Sequence, residues 1–153
     1  MHRQTREPMS AGSFRETIRA EHEVLRGLLG RTLDFAELQA AGASVEALRA
    51  CAREFYVTLA EHMSFEERML PIALRDVIGW GQTLESMIAA DHERQRAELG
   101  AALAALEPDE PSWERLVRDL RLFADTLLRD MEREEAALLD ADLDDVATDA
   151  QGG

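Results

Sequence analysis

Apolar residues recur along the chain in steps of three and four over four long stretches, the spacing of amphipathic helices with one buried face. The first stripe is Phe14, Ile18, His22, Leu25, Leu29, Leu33 and Ala36. The second is Leu48, Ala52, Phe55, Leu59, His62, Glu66 and Met69. The third is Leu84, Ile88, His92, Gln95, Leu99, Ala102 and Leu106. The fourth is Val117, Leu120, Ala124, Leu127, Met131, Glu134 and Leu138, with Asp130 beside it. No alternating period competes, so the pattern predicts an all-α fold: an up-down-up-down four-helix bundle.

Punctuation places the ends. Ser13-Phe14-Arg15-Glu16 reads as a capping box, opening a helix to about Ala40. Gly27 and Gly30 weaken that helix and are expected to let a neighbour pack closely. Residues 41–44 form a turn, with Ser44 as the N-cap of a second helix toward Met69. Pro71 should break or kink it, leaving Ile72–Ile78 as a further helical piece before a turn at Gly79-Trp80-Gly81. The third helix runs from about Leu84 to Leu106. Residues 107–111 carry two prolines and break the chain, and Ser112 caps a fourth helix from Trp113 to about Leu139. The expected organisation is a flexible N-terminus (1–12), one bundle (13–139) and an acidic flexible tail (140–153).

The stripes contain residues that do not belong in an oily core. A buried carboxylate is costly unless it is paired or bound to a metal, yet Glu66 shares a helix face with His62, four residues before it. Heights can be compared at ~1.5 Å per residue. His22 lies roughly 18 residues before the end of its helix and His62 roughly 17 after the start of the next, so both sit ~26 Å from the shared turn. His92 and Asp130 come level in the same way across the second pair. An internal echo supports the match: Ala20-Glu21-His22-Glu23 resembles Ala90-Asp91-His92-Glu93, and the stretch 62–70 resembles 130–138. Six polar groups are therefore expected in one layer: His22, His62, Glu66, His92, Asp130 and Glu134.

Any one seam histidine alone reads as a satisfied core residue; three with HxxxE at matched height read as metal ligands. Imidazoles with carboxylates suit iron, manganese or zinc, and carboxylates from different helices can bridge two ions. Asp130 is open between ligand, hydrogen-bond acceptor and surface residue. Glu135 replaces Glu134 if the fourth helix is rotated. Glu67, Arg68, Glu132 and Arg133 read as a solvated face, His2 as disordered, and Met63, Met69, Met131, Tyr56 and Cys51 as packing.

Composition narrows the partners. The net charge is −14, which argues against nucleic acid and anionic membranes. All 17 basic residues are arginine, from which no function follows. One cysteine, no secretory signal and no apolar run of membrane-spanning length predict a soluble, cytoplasmic protein. Nothing points to a protein partner or an oligomeric state.

The pattern resembles the hemerythrin-like family of HHE cation-binding domains over about residues 14–139. The matching features are a histidine on the first helix (His22), HxxxE on the second (His62, Glu66) followed by Pro71, and a histidine on the third (His92). The family has a histidine and then a bridging carboxylate on the fourth helix; here Asp130 stands before Glu134. The resemblance implies two non-haem irons handling dioxygen, or sensing oxygen, iron, nitric oxide or peroxide. A second departure is Arg96, where oxygen carriers place a second histidine four residues after the first. Both changes fall on one metal position, which disfavours reversible oxygen carriage. The position on His92 is expected to have lost nitrogen ligands and gained an oxygen ligand; alternatively Arg96 occupies it and pairs with Asp130, leaving one metal, or Arg96 points to solvent. Two other readings stay open: a di-iron or di-manganese oxidase or peroxidase-like enzyme, and a bundle without metal acting as an interaction domain.

Overall fold

A computed structural model describes residues 11–39, 45–74, 81–108 and 112–151. The described residues form four helices: α1 (Ala11–Gln39), α2 (Val45–Ala73), α3 (Gly81–Ala105) and α4 (Trp113–Gln151). Each packs on two neighbours, α1 and α3 both lying between α2 and α4. One apolar cluster joins Phe14 and Ile18 near the start of α1 to Leu70 near the end of α2, Leu84 near the start of α3 and Leu138 of α4. Another joins Ala36, Leu48, Ala102 and Leu116 at the opposite end. Early residues of one helix thus meet late residues of the next, and neighbours run antiparallel, as the four stripes predict.

A third apolar cluster fills the middle, from Leu25 and Leu29 through Phe55, Leu59 and Met63 to Leu99, Phe123, Leu127 and Met131. Between it and the first cluster the stripes place His22, His62, Glu66, His92 and Glu134, all buried. A polar layer is therefore closed above and below by packed side chains, which keeps bulk water away from it.

Several boundaries differ from expectation. α1 begins at Ala11 rather than at a Ser13 cap; the Ser13 carbonyl instead accepts a bond from Thr17 Oγ1 at 3.0 Å. Pro71 lies inside α2, which runs two residues further, to Ala73. The proline removes only one donor near the helix end, and Leu74 N still reaches Leu70 O at 3.0 Å. Ile72 and Ala73 thus belong to α2 and Leu74 to the turn at its end, while residues 75–78 of the expected piece lie outside the described residues. α3 starts three residues early, at Gly81. Ser112 accepts the first bond of α4 through its carbonyl, Leu116 N at 2.9 Å, as an N-cap does.

α4 continues to Gln151, through the segment expected as a tail. No glycine or proline stands between Trp113 and Gln151 to stop it. Gly27 and Gly30 do not mark a close approach: a Cβ at either would meet nothing within 4 Å. The Ser44 cap, the 41–44 turn, His2 and most of the N-terminus lie outside the described residues. No helix among those described is long and apolar enough to cross a membrane.

Candidate metal centre

Each helix contributes to the polar layer from a stripe position, so the packing that buries the leucines also aims these side chains inward. His22, His62, Glu66 and Glu134 each offer one donor atom, all within 4.8 Å of one another. His22 Nε2 is 3.2 Å from His62 Nε2, 3.7 Å from Glu66 Oε1 and 3.6 Å from Glu134 Oε1. Glu66 Oε1 also meets His62 Nε2 at close range. The other oxygen of the same carboxylate, Oε2, is 3.3 Å from His92 Nε2. Glu66 therefore spans two donor groups, one from α1 and α2 and one from α3.

The far side of each imidazole meets an acid. His62 Nδ1 is 3.2 Å from Glu21 Oε2, His92 Nδ1 is 3.1 Å from Glu67 Oε1, and His22 Nδ1 is 3.3 Å from Glu135 Oε1. An ionised carboxylate only accepts, so the bonds to Glu21 and Glu67 place a proton on Nδ1 of His62 and His92, and Nε2 carries a lone pair wherever the ring is neutral; His22 Nδ1 lies near Glu135 without an aligned hydrogen bond. His22 Nε2 and His62 Nε2 are 3.2 Å apart, a separation at which two neutral nitrogens repel unless a proton or a cation lies between them.

The acids inside the layer are unequal. Burial opposes charge on Glu66, but His22, His62, His92 and Glu134 outweigh it and hold the carboxyl well below its ordinary range. Glu134 goes the other way: burial, then the charge of Glu66 beside it, holds it well above. Burial likewise opposes charge on His62, yet Glu21 and Glu66 raise it to about 9.

The donor set fits a metal cation. Both oxygens of Glu66 and Oε1 of Glu134 are buried without a well-aligned hydrogen bond, a costly condition for oxygen atoms that a positive ion relieves. His22, His62, Glu66 and Glu134 would hold one ion, and His92 with Glu66 Oε2 would face a second.

Asp130 stands outside this convergence. It is buried, but it accepts a 3.1 Å bond from Gln95 Nε2, pairs closely with Arg94 and lies 3.6 Å from Arg133. These contacts engage its oxygens toward α3 and the surface. Arg96 neither fills the second position nor pairs with Asp130; it is exposed, as the solvent-facing alternative has it, and its Nη2 donates to Glu67 Oε1 at 2.7 Å. Glu135 does not replace Glu134 but lies on the outer nitrogen of His22, held by Arg26 Nη2 at 2.8 Å. Glu67 and Arg133 are more than a solvated face, since Glu67 reaches His92 and Arg133 pairs with Asp91. Met63 and Met131 pack in the core and Met69 is half-buried against it, whereas Tyr56 is exposed. Cys51 is buried with Sγ 3.4 Å from Thr32 Oγ1.

The outer acids escaped the stripe reading because they sit beside the seams, where charge is ordinary. A signal did exist. The seventy-residue echo that relates His22 to His92 also relates Arg26 to Arg96, and the offset that relates Glu66 to Glu134 relates Glu67 to Glu135.

A four-helix bundle with a buried histidine and glutamate cluster defines a cation-binding protein of the bundle class. The hemerythrin HHE cation binding domain matches residues 13–141, and the chain belongs to this family. Comparison with curated proteins and with solved structures finds no match.

Proposed function

We propose that the chain is a non-haem di-iron protein that binds, senses or reacts with dioxygen or a related small oxidant such as peroxide or nitric oxide. The observation that carries this reading is the placement of Glu66. One oxygen faces His22 and His62 and the other faces His92, the disposition of a carboxylate that bridges two ions. Bound iron would supply redox chemistry. The protein's part is to hold the nitrogen donors by their outer acids, to share negative charge between Glu66 and Glu134, and to exclude water with the apolar layers on either side. Manganese or zinc suits the same donors. We place it in the cytoplasm, and the net charge of −14 argues against nucleic acid and anionic membranes as partners.

The test is elemental analysis of protein produced in iron- and manganese-replete medium, beside Glu66→Ala. Two irons per chain, lost in the variant, support the proposal. A single metal per chain refutes the binuclear part, and a folded bundle with no metal refutes the whole. Anaerobic reduction followed by air then distinguishes the modes. A reversible absorbance change indicates binding, and irreversible conversion to ferric iron excludes carriage.

A second reading is an oxidase or peroxidase-like enzyme. It is favoured by the poverty of nitrogen at the second position, where His92 faces Glu66 while Asp130 is engaged elsewhere. Catalytic turnover of peroxide, lost in Glu66→Ala, would establish it, and a stoichiometric reaction alone would exclude it.

A further inference from the structure

The same device is built twice around the metal centre. On α3, His92 is followed four residues later by Arg96; on α1, His22 is followed four residues later by Arg26. Each histidine faces two consecutive glutamates on a neighbouring helix. Glu66 and Glu67 of α2 flank the two ring nitrogens of His92, at 3.3 and 3.1 Å. Glu134 and Glu135 of α4 flank those of His22, at 3.6 and 3.3 Å. In each pair the first glutamate points into the core. The second lies outside, because consecutive helical residues are turned by roughly 100°. The arginine one turn beyond the histidine then grips that outer glutamate, Arg96 on Glu67 at 2.7 Å and Arg26 on Glu135 at 2.8 Å.

Hydrogen bonds close the relay at His92, while at His22 the ring nitrogen Nδ1 lies 3.3 Å from Glu135 Oε1 without an aligned hydrogen bond. Arg96 and His92 Nδ1 meet the same oxygen, Oε1 of Glu67. The guanidinium therefore fixes the acceptor to which the ring donates. With Nδ1–H committed there, Nε2 is left as a lone pair aimed at Glu66. Without the acceptor, the proton is free to move to Nε2, which then cannot ligate. Folding energy does not explain the Arg96 pair well, since Arg96 and Glu67 are 46% and 41% exposed and pairs of that kind contribute little to stability.

We propose that Arg26 and Arg96 are positioning residues for the metal centre, each acting through an outer glutamate, Glu135 or Glu67, to hold His22 or His92 with Nε2 free to ligate. The inference rests on the metal-binding reading above and adds residues that touch no metal. Metal-bound histidines elsewhere lose about 10–100-fold in affinity when such outer partners are removed.

The test uses the full chain, with Arg96→Ala, Arg26→Ala, Glu67→Ala and the conservative Arg96→Lys, against the exposed neighbour Arg68→Ala as control. Nitrogen-15 spectra of histidine-labelled, metal-free protein report which ring nitrogen carries the proton, and anaerobic titration with ferrous iron alone reports affinity. Arg96→Ala and Glu67→Ala are expected to move the His92 proton toward Nε2 and weaken iron binding about 10–100-fold. Arg26→Ala is expected to do the same at His22. Arg96→Lys should recover much of the loss, and Arg68→Ala should match wild type. Unchanged His92 and His22 tautomers with affinities equal to wild type would overturn the positioning role. Failure of the wild-type protein itself to take up iron would instead overturn the metal reading beneath it.

Discussion

Metal loading should release protons, and the amount follows from the polar layer. His62 is raised from 6.5 to about 9, so at about pH 7 its ring is protonated and must lose that proton before Nε2 can ligate. Two units at ~1.36 kcal/mol each make this cost ~2.7 kcal/mol, or about a hundredfold in apparent affinity. The cost shrinks by a factor of about ten per pH unit until the pH reaches about 9. Burial and the charge of Glu66 also hold Glu134 well above its ordinary range, so any proton it carries is displaced on loading too. The assay is calorimetric titration with zinc, a redox-inert probe, in buffers of different ionisation enthalpy at about pH 7 and about pH 8. At least one proton, that of His62, should be released per ion at the lower pH, with the dissociation constant falling about tenfold at the higher. Glu21→Gln, which removes one of the two carboxylate charges that raise His62, should flatten this dependence. A dissociation constant unchanged over that range, with no proton release, would refute the reasoning.

The metal-free protein should show the opposite trend in stability. His62 gains its charged partners on folding, so its contribution is fully present below its unfolded value of 6.5 and is lost as pH rises through about 9; the gap in Tm between metal-free and loaded protein should widen with pH in differential scanning calorimetry. Chelation of loaded protein should cost ~2.7 kcal/mol where free metal stood at 100 times its dissociation constant. For a chain of this size that is a fall in Tm of roughly 5–11 °C, and an unchanged Tm would refute a metal-stabilised bundle. Asp130→Asn should leave metal stoichiometry unchanged by elemental analysis, because the Asp130 carboxylate is engaged by Gln95 and Arg94; loss of an ion would make it a ligand.

The sequence alone determined the parts of this protein that depend on burial period. Four stripes at helical spacing specify four helices, and the short breaks between them specify antiparallel neighbours. Counting residues from the shared turns brings His22 and His62 to one height without any coordinates, and the charged residues in the stripes mark the layer where a cation belongs. Glu66 and Glu134 were legible because a carboxylate on a seam is anomalous. Glu21, Glu67 and Glu135 were not, because a carboxylate beside a seam is ordinary surface until a neighbouring helix brings an imidazole to it. That approach depends on how each helix is rotated about its axis and how far a side chain reaches, neither of which a one-dimensional period contains. The same limit explains Asp130 and Arg96. Their positions suggested a pair filling the second metal position, but the tertiary structure gives Asp130 to Arg94 and Gln95 and gives Arg96 to Glu67. Sequence thus set which residues face inward and at what height. Packing decided which atoms meet, because contacts of about 3 Å depend on rotations and rotamers that many sequences with the same stripes leave open.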